Sequence, residues 1–300
     1  MPTRAFPRHI SILILAALAC SFAGNHIAAR IAFDSGAGLL LAILFRSGGT
    51  ALALAVVVCW RRESFRIARE VVPWQLLVGL LVGVQSFCIY SAVARIPVGL
   101  ALLVVNLAPV FLALLTWALG GAVPTRRAAL LMGGILCGLL IVLDIPTILS
   151  SSGSLDELWI EGVLFSLVAA AVFAVAMWIS DRHLAQLPGT LRSMLTMVVV
   201  FLGVAMAGSV GVFPGGLSLP EREGGWGALV LLVLLYGVGF SMLFICMPRL
   251  DIARNAPVMN VEPVAGLLLG WLILGQQVGG LQLAGGAIVI ACIVMLAYRR

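Results

Sequence analysis

Apolar residues run along this chain in stretches of about 20, broken at short intervals by arginine, proline and glycine. The spacing predicts ten membrane-crossing helices, over residues 10–32, 38–60, 74–94, 97–119 and 127–146, then 161–180, 192–213, 226–248, 254–274 and 281–298. A helix of about 20 apolar residues spans the roughly 30 Å hydrocarbon core of a bilayer. Pro73, Pro97, Pro124, Pro188, Pro214 and Pro220 fall in or beside the expected loops, where helix breakers belong. The run after Arg4 and Arg8 continues to about Ala32, too long for a signal peptide, and reads as a retained first crossing.

The pattern is duplicated. Val105-Asn106-Leu107-Ala108-Pro109-Val110 in the first half matches Met259-Asn260-Val261-Glu262-Pro263-Val264 in the second. Trp117 and Trp271 follow each proline at the same distance, and then Gly121 and Gly275. A unit with an odd number of crossings must lie upside down relative to its copy. The expected fold is therefore an all-α membrane protein of ten transmembrane helices in two inverted five-helix repeats, 1–150 and 151–300. Inverted repeats with helices broken at mid-membrane are the architecture of secondary transporters.

Composition agrees with a bilayer setting. The chain is 62% hydrophobic and 10% charged, with a net charge of +6 and a mean hydropathy of +1.18. Its Lys+Arg residues are all arginines, scattered singly or in pairs between spans, so nucleic acid is not an expected partner. The expected partners are the lipid bilayer and a small-molecule substrate. The six cysteines lie in apolar stretches without a C-x-x-C pair, so neither metal nor cofactor is expected. With the N-terminus in the cytoplasm, 14 of the 18 arginines fall on the cytoplasmic side: residues 4, 8, 61, 62, 66, 69, 126, 127, 182, 192, 249, 254, 299 and 300. Arg30, Arg95 and Arg222 fall outside, and Arg46 lies within a span. The positive-inside rule then places both termini in the cytoplasm. Trp60, Trp74, Trp159 and Trp226 sit at span ends as interfacial anchors, and Trp178 reads as belt or gate, belt before gate. Gly79 with Gly83, Gly133 with Gly134 and Gly285 with Gly286 read as helix-packing positions.

These residues together resemble the drug/metabolite transporter superfamily, in particular its EamA-type ten-helix members. The resemblance rests on the two Asn-x-x-Pro-Val segments with their trailing Trp and Gly, on Phe22-Ala23-Gly24-Asn25 in place of the family's Trp-Gly-Ser-Asn, and on Arg46. It implies an inner-membrane carrier of small metabolites, with amino-acid exporters prominent among its relatives. Gly121-Ala122 and Gly275-Gln276 depart from the family's Gly-Glu.

The duplication helps to separate scaffold from site. Pro109 and Pro263 occur in both halves and serve the fold as kinks. Each removes a hydrogen bond to the carbonyl four residues back, at Val105 and Met259. Asn106 and Asn260 can cap the freed groups or meet substrate at the break. Gly24-Asn25-His26 in the first span faces Val175-Ala176-Met177 in the sixth, so the polar pair needs another reason. By helical rise Asn25 and Arg46 share a depth about 10 to 12 Å below the outer end. An intramembrane arginine costs about 2.5–3.5 kcal/mol on insertion scales and so seeks interior partners, or else extends to the interface. Glu262 stands where the first half has Ala108. It can bind a substrate ammonium, exchange a proton, or hydrogen-bond within the kink. Gln85 and Tyr90 in the third span, with Tyr236 and Ser241 in the eighth, can line a cavity.

The expected function is alternating-access transport of small metabolites, most readily amino-acid export. The rival readings are an intramembrane enzyme or a channel acting on a small amphipathic metabolite. The sequence has no metal-spaced histidines and no Gly-x-Ser-x-Gly to support the first, and no pore loop or charge ring to support the second.

Overall fold

A computed structural model describes residues 6–63, 67–121, 123, 125–142, 157–213, 215–246, 249–250 and 256–297. The described secondary structure is entirely helical. The first half runs α1 (Arg8–Asp34), α2 (Leu39–Arg61), α3 (Val72–Arg95), α4 (Val98–Val105), α5 (Ala108–Ala118) and α6 (Arg126–Val142). The second half runs α7 (Glu157–His183), α8 (Gly189–Ser209), α9 (Glu223–Cys246), a 3-10 segment (Ala256–Val261), α10 (Glu262–Leu274) and α11 (Gly280–Ala297). With α4–α5 and the 3-10 segment–α10 each counted as one broken span, these make the ten crossings. Seven are long and apolar enough to cross a membrane by length and composition, the last two are shorter apolar helices, and α6 is described over 17 residues. The outward side chains form an apolar sheath, including Leu52, Leu130 and Leu272. Bare hydrocarbon of this extent suits lipid and not water. The expected end of the fifth span, 143–146, lies outside the described residues.

Proline chemistry breaks the fourth and ninth spans at the duplicated segments. Pro109 has no N–H to give the Val105 carbonyl, so α4 stops at Val105 and α5 restarts at Ala108. The Asn106 amide donates to the Leu102 carbonyl at 2.8 Å and caps the break. Pro263 occupies the first turn of α10, where its fixed φ suits a helix start. The approach to it is tightened into the 3-10 segment. Asn260 makes no side-chain hydrogen bond among the described residues, so its capping role is not reproduced in the second half.

Let the terminal face be the end of the bundle where α1 begins, and the far face the end where α1 turns into α2. The main helix contacts survive exchange of the two halves. α1 packs on α9 as α7 packs on α3, α2 on α9 as α8 on α3, and α1 on α10 as α7 on α5. The pairs α2–α8 and α6–α11 map onto themselves. Some pairs break the rule: α1 packs against α3, while its equivalent α7 makes no comparable contact with α9, and α4 packs on α10 and α3 without counterparts of like extent in the other half.

Of the six glycines read as packing positions, Gly79, Gly134, Gly285 and Gly286 face a neighbouring helix, and Gly83 and Gly133 do not. At the α6–α11 crossing, a Cβ on Gly285 would sit 2.7 Å from the Gly138 carbonyl oxygen, so only glycine admits this approach. A Cβ on Gly79 would collide with the Val199 side chain of α8. Gly83 and Gly133 face open space, and a Cβ there would meet nothing within 4 Å. Trp178 is also not a belt residue. It packs against the cluster of Val71, Val78, Ile179 and Leu184, and its Nε1 is buried. Trp60 fits the interfacial reading, 71% exposed, whereas Trp74 stacks on His183 at 3.7 Å.

Candidate functional site

Five helices bring polar side chains to one level of the bundle. Asn25 and His26 come from α1, Arg46 from α2, Ser86 and Tyr90 from α3, Tyr236 from α9 and Glu262 from the start of α10. Ser86 and Tyr90 are four residues apart and so share a helix face.

Arg46 is the centre of the group. It is 3% exposed, so it does not extend to the interface. Its Nη2 donates to Ser86 Oγ, which in turn donates to the Val82 carbonyl at 2.7 Å. Its guanidinium lies 4.6 Å from the Tyr90 ring centroid and 4.7 Å from that of Tyr236. Two aromatic faces thus carry part of the cation's stabilisation. No carboxylate among the described residues lies within ion-pair distance of Arg46, and its buried Nε has no hydrogen-bond partner there.

The Tyr90 hydroxyl donates to Asn25 Oδ1 at 3.1 Å. That bond fixes the amide and leaves Asn25 Nδ2 buried without a partner. His26 meets the Tyr90 ring edge-on at 5.9 Å. Its Nε2 lies 4.0 Å from Glu262 Oε1. The Glu262 side chain is 26% exposed, so the carboxyl borders open space. On the side toward the terminal face, Phe22 and Phe240 pack on Tyr236, with centroids 5.7 and 4.6 Å away.

The cluster therefore presents a cation without an anion, a separate carboxyl, and two unanswered donors, Arg46 Nε–H and the Asn25 amide. A buried charge without a counter-charge is costly, so this surrounding favours an anionic group. Of the residues expected from the sequence, Asn25, His26, Arg46, Tyr90, Tyr236 and Glu262 converge. Gln85 is half-buried and hydrogen-bonds to none of them. The Ser241 hydroxyl is buried without a partner, more than a helical turn beyond Tyr236. Asn106 is taken up by the break in its own span, and Asn260 makes no bond to the group. Sequence reasoning missed Ser86, although its i, i+4 spacing from Tyr90 was a usable signal. It also passed over the aromatic wall of Phe22 and Phe240. The departure at Gln276 has a structural role: its Oε1 accepts from the Val98 N–H at 3.1 Å and caps the start of α4.

Comparison with known proteins gives a consistent answer. The chain is 26% identical over 260 residues to the pseudopaline exporter CntI of Pseudomonas aeruginosa, covering 84% of each. It is 24% identical over 294 residues to the threonine/homoserine exporter RhtA of Escherichia coli, covering 96% of this chain and 92% of that one. A solved crystal structure superposes with a TM-score of 0.60 at 20% identity over 96% of each chain, which supports the fold. The profile of the EamA-like transporter family matches twice, at residues 9–144 and 160–298. With one match in each half and nearly the whole length covered, the chain belongs to the EamA-like transporter family.

Proposed function

We propose that this transporter exports amino acids across the bacterial inner membrane by alternating access. The central cluster holds the substrate, and the two halves, 1–150 and 151–300, rock against one another. The observation that carries this reading is the separation of charge in the cluster: a buried, anion-free Arg46 with an unpartnered Nε, and Glu262 across from it beside His26. An α-amino acid offers a carboxylate to Arg46 and Asn25 and an ammonium to Glu262. The named substrates of one relative, threonine and homoserine, are α-amino acids.

Counterflow in proteoliposomes tests the proposal. Unlabelled amino acid inside should drive saturable uptake of labelled amino acid. The corresponding amino-acid amides and N-acetyl derivatives, each lacking one charge, should compete at least about tenfold less well, given roughly 1.5–3 kcal/mol for a hydrogen bond to a charged group. Equal competition by both derivatives sinks the zwitterion reading, and flux without saturation or counterflow indicates a channel.

The terminal face is assigned to the cytoplasm, on the strength of the arginine bias. A reporter fused after Arg300 should be active only in its cytoplasmic form, and a periplasmic signal would invert the assignment.

A further inference from the structure

The broken symmetry between α1–α3 and α7–α9 has a visible cause at the helix ends. The last carbonyls of a helix lack intrahelical partners and carry partial negative charge, so a guanidinium fits there. α3 and α9 are equivalents in the two halves, and each has an arginine on its C-terminal carbonyls. The two arginines come from different neighbours. At the far face, Arg30 of α1 donates through Nη1 to the Val93 carbonyl of α3 at 2.8 Å. At the terminal face, Arg61 of α2 donates through Nη2 to the Phe244 and Ile245 carbonyls of α9, at 2.8 and 3.0 Å. Each arginine is also aimed by an acid just beyond it in sequence. Arg30 Nε bonds both oxygens of Asp34, at 3.0 and 3.2 Å, and Arg61 Nη1 lies 3.8 Å from Glu63 Oε1.

The consequences at the two faces are opposite. Arg30 draws α3 onto α1, alongside the Tyr90–Asn25 bond, and closes the bundle above the polar cluster. Arg61 holds the end of α9 on α2, where Phe244 packs with Leu54, Val58, Leu191 and Met194 of α2 and α8. α9 makes no contact with α7 comparable to that of α3 with α1. We propose that Arg30 and Arg61 are paired latches that hold this transporter closed at the far face and open at the terminal face. The outward-open state then requires both to let go: α3 leaves α1 as α9 swings to α7. The latches are positioning residues and do not touch substrate. The inference rests on the alternating-access reading above but not on the identity of the substrate.

The test reads both faces without any substrate. Spin labels are placed as one pair on the far-face ends of α1 and α3, and as a second pair on the terminal-face ends of α7 and α9. Pulsed distance measurements are made on the full chain in nanodiscs. Arg30→Gln and Arg61→Gln should each lengthen the first distance and shorten the second, shifting the ratio of the two states about tenfold, the size expected for losing a charge-assisted hydrogen bond. The double variant should shift it further in the same direction. Arg30→Lys should restore much of the wild-type distribution. Asp34→Asn leaves the arginine in place but removes its aim, and should give a smaller shift of the same sign, so the proposal stays testable if Arg30→Gln fails to fold. Unchanged distances, or an opening at one face with no closure at the other, would show that these arginines only brace the helix ends and would overturn the proposal. Amino-acid counterflow plays no part in this readout, so its failure would leave the latch result standing.

Discussion

Arg46→Ala should abolish transport, by at least about a hundredfold, while insertion and monodispersity are kept or improved. The two halves of that expectation have opposite signs for one physical reason. A lone guanidinium in the membrane interior costs about 2.5–3.5 kcal/mol to insert, and here no carboxylate among the described residues offsets it. Removing it leaves Ser86, Tyr90 and Tyr236 with neutral surroundings, and Ser86 keeps its bond to the Val82 carbonyl. Folding therefore loses little. The substrate loses the one full positive charge in the cluster, and a charge-assisted, forked contact in a low-dielectric site is the strongest kind of hydrogen bond available there. Arg46→Lys separates charge from geometry. It keeps the cation, but its donors sit on one nitrogen and lack the planar fork that reaches Ser86 and a carboxylate from separate nitrogens, so it should recover only part of the flux. Normal counterflow by the alanine variant, measured beside its size-exclusion profile, would reduce Arg46 to a structural residue.

The ten crossings were readable because hydropathy and proline act locally. A run of about 20 apolar residues needs a bilayer, and Pro109 and Pro263 must break their helices wherever those pack. The cluster was partly readable. Duplication exposed Asn25, His26 and Glu262 as polar residues whose counterparts, Ala176, Met177 and Ala108, show that the fold does not need them. Helical rise put Arg46 at the depth of Asn25. Ser86 escaped because a serine in an apolar helix ordinarily bonds its own preceding turn, as this one does, and its second bond depends on α2 standing opposite. The approach of Tyr236 on α9 to Arg46 on α2 is a long-range packing outcome with no local signal. Gly83 and Gly133 were read as packing positions by composition, yet which face of a helix meets a neighbour is settled only by its partners. The proposed latches could not be read at all, because the bonds of Arg30 and Arg61 to the ends of α3 and α9 depend on which helices stand beside them.

Glu262→Gln should raise the KM for amino-acid substrate by about ten- to a hundredfold if the carboxyl pairs with the substrate ammonium, the range expected when a hydrogen bond to a charged group is replaced by a neutral one. The maximal rate should change much less, because the loss falls on binding. A proton-exchanging carboxyl gives a different result. The glutamine variant would then still bind, with KM near that of the wild type, but its flux would no longer respond to an imposed pH gradient. Neither outcome can be blamed on the fold. The equivalent position in the first half is Ala108, buried at 4% in an intact break of the same design, so this turn does not need a carboxyl. Glu262→Ala is therefore a fair second variant, which removes the amide's own hydrogen bonding as well. The titratable neighbours that share the carboxyl's environment are His26, 4.0 Å away, and Tyr236. His26→Gln tests whether a surviving pH response belongs to the imidazole. Counterflow measured with and without a pH gradient, for Glu262→Gln and wild type side by side, separates the two roles. Wild-type KM, rate and gradient response in the variant would refute both, leaving Glu262 as a hydrogen-bonding residue of the helix start.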